Sequence, residues 1–385
     1  MSAYDLDDER AIRTGRLVDD WTQSGLLTRA QRDVLMPQLA VDLRRTNLFL
    51  RITLFLFGGV ILQSALGLGA LFISGLADEA GAGLLCLAAG AGCFWLATLL
   101  VRRYNLYRFG VEEAVALTAA GLGAAGAAIV MSTAGGGELE AGLVVGAVVL
   151  TALYVHFGYV YCAVLAMALA AVLPFLIEGP EVVQRIVAVA LLAAVAGGAR
   201  AARAGHGDEY PGDSLAVIEA AAWLGIYALV NLAGWSGIRQ IERAPLYYWT
   251  TYAAIWLLPA AGLYLALRGR ERALLLASLA MALATLLSNK EYLGSPRYEW
   301  DPIVLGLLLM GVAIGVRRWL ASGDGGQRHG YTAARLVASD QSHLGHLAIV
   351  SATHTDVPVA AAPPPGEPGL GGGGRSGGAG AGGSF

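Results

Sequence analysis

Residues 84–100 read LLCLAAGAGCFWLATLL, seventeen positions without a charge and with only Thr98 polar. A half-buried strand would alternate apolar and polar at every second residue, as a transmembrane β-barrel requires, whereas this run is apolar on all sides. Residues 187–196 repeat the pattern. Such segments are stable as helices in lipid, where each backbone amide must find its partner inside the segment. The surrounding fifty residues, 52–101, contain only Asp78 and Glu79 as charges.

Across 385 residues the chain is 56% hydrophobic and 14% charged, against about 25% charge in a soluble domain. A bilayer core of about 30 Å needs roughly 20 apolar residues per helix. Runs of that kind fall at 52–74, 81–101, 110–132, 139–156, 159–177, 182–199, 215–233, 246–267, 273–288 and 302–318. The expectation is an all-α, polytopic transmembrane bundle of about ten spans. Residues 139–177 as one helix would be about 58 Å long, twice the hydrocarbon thickness, so they are expected to fold back near His156, Phe157 and Gly158.

Arginine placement tests that division, because Lys and Arg accumulate in cytoplasmic loops. With the N-terminus inside, one side holds Arg44, Arg45, Arg51, Arg102, Arg103, Arg108, Arg200, Arg203, Arg268, Arg270, Arg272, Arg317 and Arg318. The other holds Arg185, Arg239, Arg243, Lys290 and Arg297. Both termini are therefore expected in the cytoplasm. Asp213 and Ser214 are expected to cap the seventh span, and Asp301 with Pro302 to open the tenth.

The ends differ in composition from the middle. Residues 1–47 are read as a small cytoplasmic helical hairpin, 48–320 as the bundle, and 321–385, rich in Gly and Pro, as a disordered cytoplasmic tail. About fifty mostly polar residues precede the first apolar run, so that run is expected to remain as an anchor and not to be cleaved. Thr28 and Gln31 have the spacing of a capping box before Val34, Leu35 and Leu39.

Leu17, Val18, Trp21, Gly25, Leu26, Thr28, Gln31 and Leu35, followed shortly by the first span, resemble the opening of bacterial membrane proteins grouped as domain of unknown function 2157. The likeness covers about the first seventy residues. It implies a helical hairpin ahead of several membrane helices and a bacterial inner-membrane location, and it implies no reaction.

Intramembrane polar groups are costly and mark the positions where function is first sought. In the seventh span Glu219, Trp223, Tyr227 and Asn231 recur every fourth residue and share one helical face. They could line a cavity for a cation or proton; the competing expectation is that Glu219 snorkels to water while the aromatics pack. Arg239, Arg243, Lys290 and Arg297 could receive an anionic solute or a lipid headgroup. Glu112 and Glu113 are expected to complement a helix dipole near water, and Arg185 to pair with Glu181 four residues away. Gly142 with Gly146 and Gly311 with Gly315 are expected to make close helix contacts, as are Gly121, Gly123 and Gly126. Pro174 and Pro259 are expected kinks.

No metal or cofactor site is expected. His329, His343, His346 and His354 match no compact ligand spacing, and Cys86, Cys93 and Cys162 are read as small apolar residues. A net charge of −3 with no long basic run gives no footprint for nucleic acid. The chain carries no Cys-x-x-Cys, His-Glu-x-x-His or Gly-x-Ser-x-Gly, so a non-enzymatic interaction or assembly role is expected. Its partners would be membrane lipid and a protein bound through residues 1–47 or the tail, with small-solute or ion transport along the stripe as the alternative.

Overall fold

The structure, a computed structural model, describes residues 3–23, 26–73, 78–206, 210–232, 245–269, 271–293, 300–323, 327, 328, 331 and 332. The chain runs α1 (Leu6–Gln23), α2 (Arg29–Gln38), α3 (Leu48–Ile73), α4 (Glu79–Tyr104), α5 (Val111–Thr133) and α6 (Glu138–Phe157). Then follow α7 (Val160–Val172, with a 3-10 turn Leu173–Leu176), α8 (Glu181–His206), α9 (Tyr210–Val230), α10 (Pro245–Gly269), α11 (Arg272–Tyr292) and α12 (Asp301–Ala321). Two-residue strands at Gln327–Arg328 and Tyr331–Thr332 pair antiparallel.

Seven described helices are long and apolar enough to cross a membrane: Leu48–Leu71, Glu79–Tyr104, Val111–Thr133, Glu138–Phe157, Glu181–Gly205, Leu246–Gly269 and Arg272–Lys290. Val160–Leu176 and Ser214–Val230 are apolar but shorter. These helices mark a membrane-embedded protein. The expected fold-back holds: α6 stops at Phe157, and Gly158 takes a left-handed φ of 72° while its amide closes on Tyr154 O at 2.8 Å.

One compact unit comprises Met1–Ala11 and Val41–Pro296. Within it α5 is the centre of the first half, touching α3, α4 and α6. The α4–α5 contact is made by glycines. A Cβ on Gly83 would meet Val130 N at 3.0 Å, and one on Gly90 would meet Gly123 N at 3.2 Å. Gly142 and Gly146 press α6 against Ala124 of α5, as their spacing predicts. Gly110, which precedes α5, adopts φ +113°, and a Cβ there would run into Arg51 O, so only glycine fits. In the second half, Ala188, Leu192 and Ala196 of α8 pack on Ala222, Ile226 and Leu229 of α9. Tyr227, Leu232, Ile255, Met281 and Tyr292 form an adjoining core of α9, α10 and α11.

The residues ahead of α1 pack within this unit. Ala3 N donates to His156 O at 3.1 Å, and Tyr4 is buried with its hydroxyl 3.5 Å from that of Tyr159. Burial raises the Tyr4 phenol above the usual tyrosine range.

The second unit comprises Ile12–Ala40 and Arg297–Phe385. Here the capping box is present: Thr28 N reaches Gln31 Oε1 at 2.9 Å, and Gln31 N reaches Thr28 Oγ1 at 3.3 Å. Arg32 of α2 pairs with Asp19 of α1 at 2.7 Å. No residue of α2 is buried.

Three local expectations need correction. Helix α9 starts at Tyr210, so Ser214 lies a turn inside and is not a cap; its hydroxyl sits 3.2 Å from Tyr154 Oη. Asp301 is already helical, Trp300 holds the cap position and no side chain caps the helix, although Pro302 does fall in the first turn. A Cβ on Gly121, Gly311 or Gly315 would meet nothing within 4 Å, so no close helix contact forms there among the described residues. Of residues 321–385, where a disordered tail was expected, Ala321 still ends α12 and Gln327–Arg328 and Tyr331–Thr332 pair as strands, while 324–326, 329, 330 and 333–385 lie outside the described residues.

Candidate functional site

The four stripe residues share one face of α9, with Asn231 just past its last residue; Glu219, Tyr227 and Asn231 are buried, Trp223 is half-buried, and the polar members divide into two networks. At the N-terminal end Glu219, 1% exposed, lies 2.9 Å from Arg200 and 3.1 Å from Arg203, both on α8. Arg203 also pairs with Glu271, the residue ahead of α11. Two acids and two arginines thus join α8, α9 and the start of α11 with no net charge. Glu219 neither reaches water nor stands as an isolated carboxylate, because α8 supplies the compensating cations that a buried acid requires.

Trp223 packs against both cores of the second half. Beyond it Asn231 Nδ2 donates to Tyr227 Oη and to Ser288 Oγ, each at 3.1 Å. Tyr227 Oη lies 2.9 Å from Thr285 Oγ1, which is 2.6 Å from Ile255 O of α10. Tyr292 Oη accepts from Leu232 N at 2.7 Å, and the Tyr248 hydroxyl donates to Tyr292 O. Tyr252 donates to Asn289 Oδ1 at 2.9 Å. These bonds tie α9, α10 and α11 together by groups that would be costly to bury unpaired.

Sequence spacing alone did not reveal a third polar cluster. Glu113, expected near water, is buried and held by Arg51 of α3 through two bonds, Nε to Oε2 at 3.1 Å and Nη2 to Oε1 at 2.5 Å. Glu112, fully buried, accepts the Phe109 amide at 2.6 Å. Arg51 is 62 positions from Glu113, and the only signal was a cation placed in the first turn of an apolar helix.

The Glu181–Arg185 pair forms as expected at 2.6 Å, and Arg185, 2% exposed, also donates to Leu229 O at 3.0 Å. Lys290 lies in the last turn of α11. Arg239, Arg243 and Arg297 lie outside the described residues, as do His329, His343, His346 and His354. Cys93 and Cys162 are buried, Cys86 is half-buried, and all three are free thiols. Among the described residues no group of three or more His, Cys, Asp or Glu is placed to hold a metal ion.

No family model, no curated protein and no solved structure matches the chain. The class that fold and site define is accordingly a helical, membrane-embedded protein whose intramembrane polar groups join neighbouring helices.

Proposed function

We propose that this chain is a polytopic protein of a bacterial cytoplasmic membrane, related to domain of unknown function 2157, that serves interaction or assembly and not catalysis. In this reading about ten spans cross the bilayer, both termini are cytoplasmic, and residues 1–47 together with the tail at 321–385 present the binding surfaces. The observation that carries it is the use made of the stripe: Glu219, Tyr227 and Asn231 are each bonded to side chains of α8 or α11. Polar groups engaged in this way hold a bundle together, and they leave recognition to the parts outside it. The exposed surface of α2, with Val34 41% exposed, supplies one such part.

Crosslinking in intact membranes followed by affinity capture tests this. Removing residues 1–47 or 321–385 is expected to abolish the captured partners, and the same partners recovered from both truncations would refute it. Transport along the stripe would require Glu219 to exchange its arginines, so proteoliposome flux altered by Glu219→Gln would favour that function instead.

A further inference from the structure

The first turns of α8 and α10 and the last turn of α9 enclose an open groove of about 340 Å³. Its walls are Ile186, Val189, Ala190, Leu229, Val230 and Ala254. The polar groups along it are turned to other work. Thr250 and Thr251 each donate to a carbonyl of their own helix at 2.8 Å, and Arg185 is occupied by Glu181 and Leu229 O. Among the described residues a polar solute would find few partners there, so the groove suits an apolar occupant.

Position decides which one. The groove opens between surfaces whose neighbours, Val183, Val187, Leu246 and Trp249, are exposed apolar side chains of membrane-crossing helices. It is therefore continuous with the lipid-facing surface, and its occupant arrives from the bilayer. From Arg185 to Ala190 on α8 the rise is about 8 Å, and from Tyr247 to Ala254 on α10 about 10 Å. That is more than half the depth of one leaflet, taken as half of about 30 Å, and it accommodates the upper part of a single acyl chain.

The mouth of the groove carries complementary charge. Both Arg185 bonds to Glu181 fall on Oε1, and the Glu181 side chain, one turn before Arg185 on α8, is 43% exposed. Tyr247, in the first turn of α10, lines the same mouth and lies close to both charges. A phenol offers a donor to a phosphate, and a carboxylate oxygen offers an acceptor to an ammonium. We propose that this groove seats one acyl chain of a zwitterionic phospholipid with a primary ammonium, its phosphate at the Tyr247 hydroxyl and its ammonium at Glu181. The proposal rests on the membrane-embedded reading and is independent of any protein partner.

The test uses the full chain in detergent, loaded with equal amounts of phosphatidylethanolamine and phosphatidylglycerol of identical acyl chains, with retained lipid counted by native mass spectrometry. One phosphatidylethanolamine per chain is expected in preference to phosphatidylglycerol. Ala190→Trp, at an exposed position where folding should be unaffected, fills the groove and is expected to remove the retained lipid. Tyr247→Phe deletes one hydrogen bond and is expected to weaken retention about three- to tenfold. Equal retention of the two lipids, or full retention by Ala190→Trp, would overturn the proposal. In the full chain, Ala190→Trp should abolish lipid retention while leaving partner capture intact, so the two readings fail separately.

Discussion

The close approach of α4 and α5 at Gly126 allows a paired experiment in which one substitution should destabilise and its near neighbour should not. A Cβ added at Gly126 lands 2.7 Å from Gly83 O and 2.9 Å from both Leu87 N and Leu87 Cγ. Two of those atoms are backbone, which cannot rotate away. Moving from 2.7 Å to the 3.4 Å at which ordinary contact begins requires the helices to part by 0.7 Å locally. Overpacking of this kind costs about 1–3 kcal/mol. Alanine recovers about 0.5–1 kcal/mol over glycine within a helix, so Gly126→Ala should lose up to about 2.5 kcal/mol net. Gly121, on the same helix, has nothing within 4 Å of its Cβ position. Gly121→Ala should therefore be neutral or gain about 0.5–1 kcal/mol. Reversible unfolding of both variants in micelles, compared with wild type, measures the difference. Equal stabilities, or a larger loss at Gly121, would refute the argument from helix contact.

Glu219→Gln should cost about 3 kcal/mol in the same assay, the low end for breaking a buried pair because Arg200 stays partly exposed; a loss below about 1 kcal/mol would show that the pairs with Arg200 and Arg203 contribute little. Thr28→Ala removes the cap of α2 at a cost of about 1 kcal/mol, and hydrogen exchange of the Gln31 amide should speed up by about fivefold while α5 amides do not change. Burial raises the Tyr4 phenol in the folded state, so its contribution to stability is complete below the unfolded value of 10.0 and declines as pH rises above it. Alkaline unfolding followed by tyrosinate absorbance should accordingly begin at higher pH in Tyr4→Phe than in wild type, and coincident curves would remove Tyr4 from the account.

What the sequence made legible was local. Residues 84–100 announce a helix because no face of that run is polar, and Gly158 divides α6 from α7 because one uninterrupted helix would overshoot the bilayer. The capping box at Thr28 and the Glu181–Arg185 pair lie within four residues and follow from helical geometry alone. Arg203 meets Glu271 across 68 positions and Arg51 meets Glu113 across 62, and helical periodicity carries no information at that range. Gly121 and Gly126 look alike in sequence, yet only the second faces α4. The expected cap at Asp213 and Ser214 falls inside α9, which begins earlier, at Tyr210. For the candidate site, the face shared by Glu219, Trp223, Tyr227 and Asn231 was visible, but the partners that occupy it come from α8, α10 and α11.

Tyr4 has a consequence for biosynthesis. It leaves the ribosome 155 positions ahead of its partner Tyr159. At roughly 5–20 residues per second, translation alone delays their meeting by on the order of ten seconds or more. Tyr4 must therefore wait for this contact while α3 to α6 are made, and its meeting with Tyr159 reports that the first half of the bundle is in place.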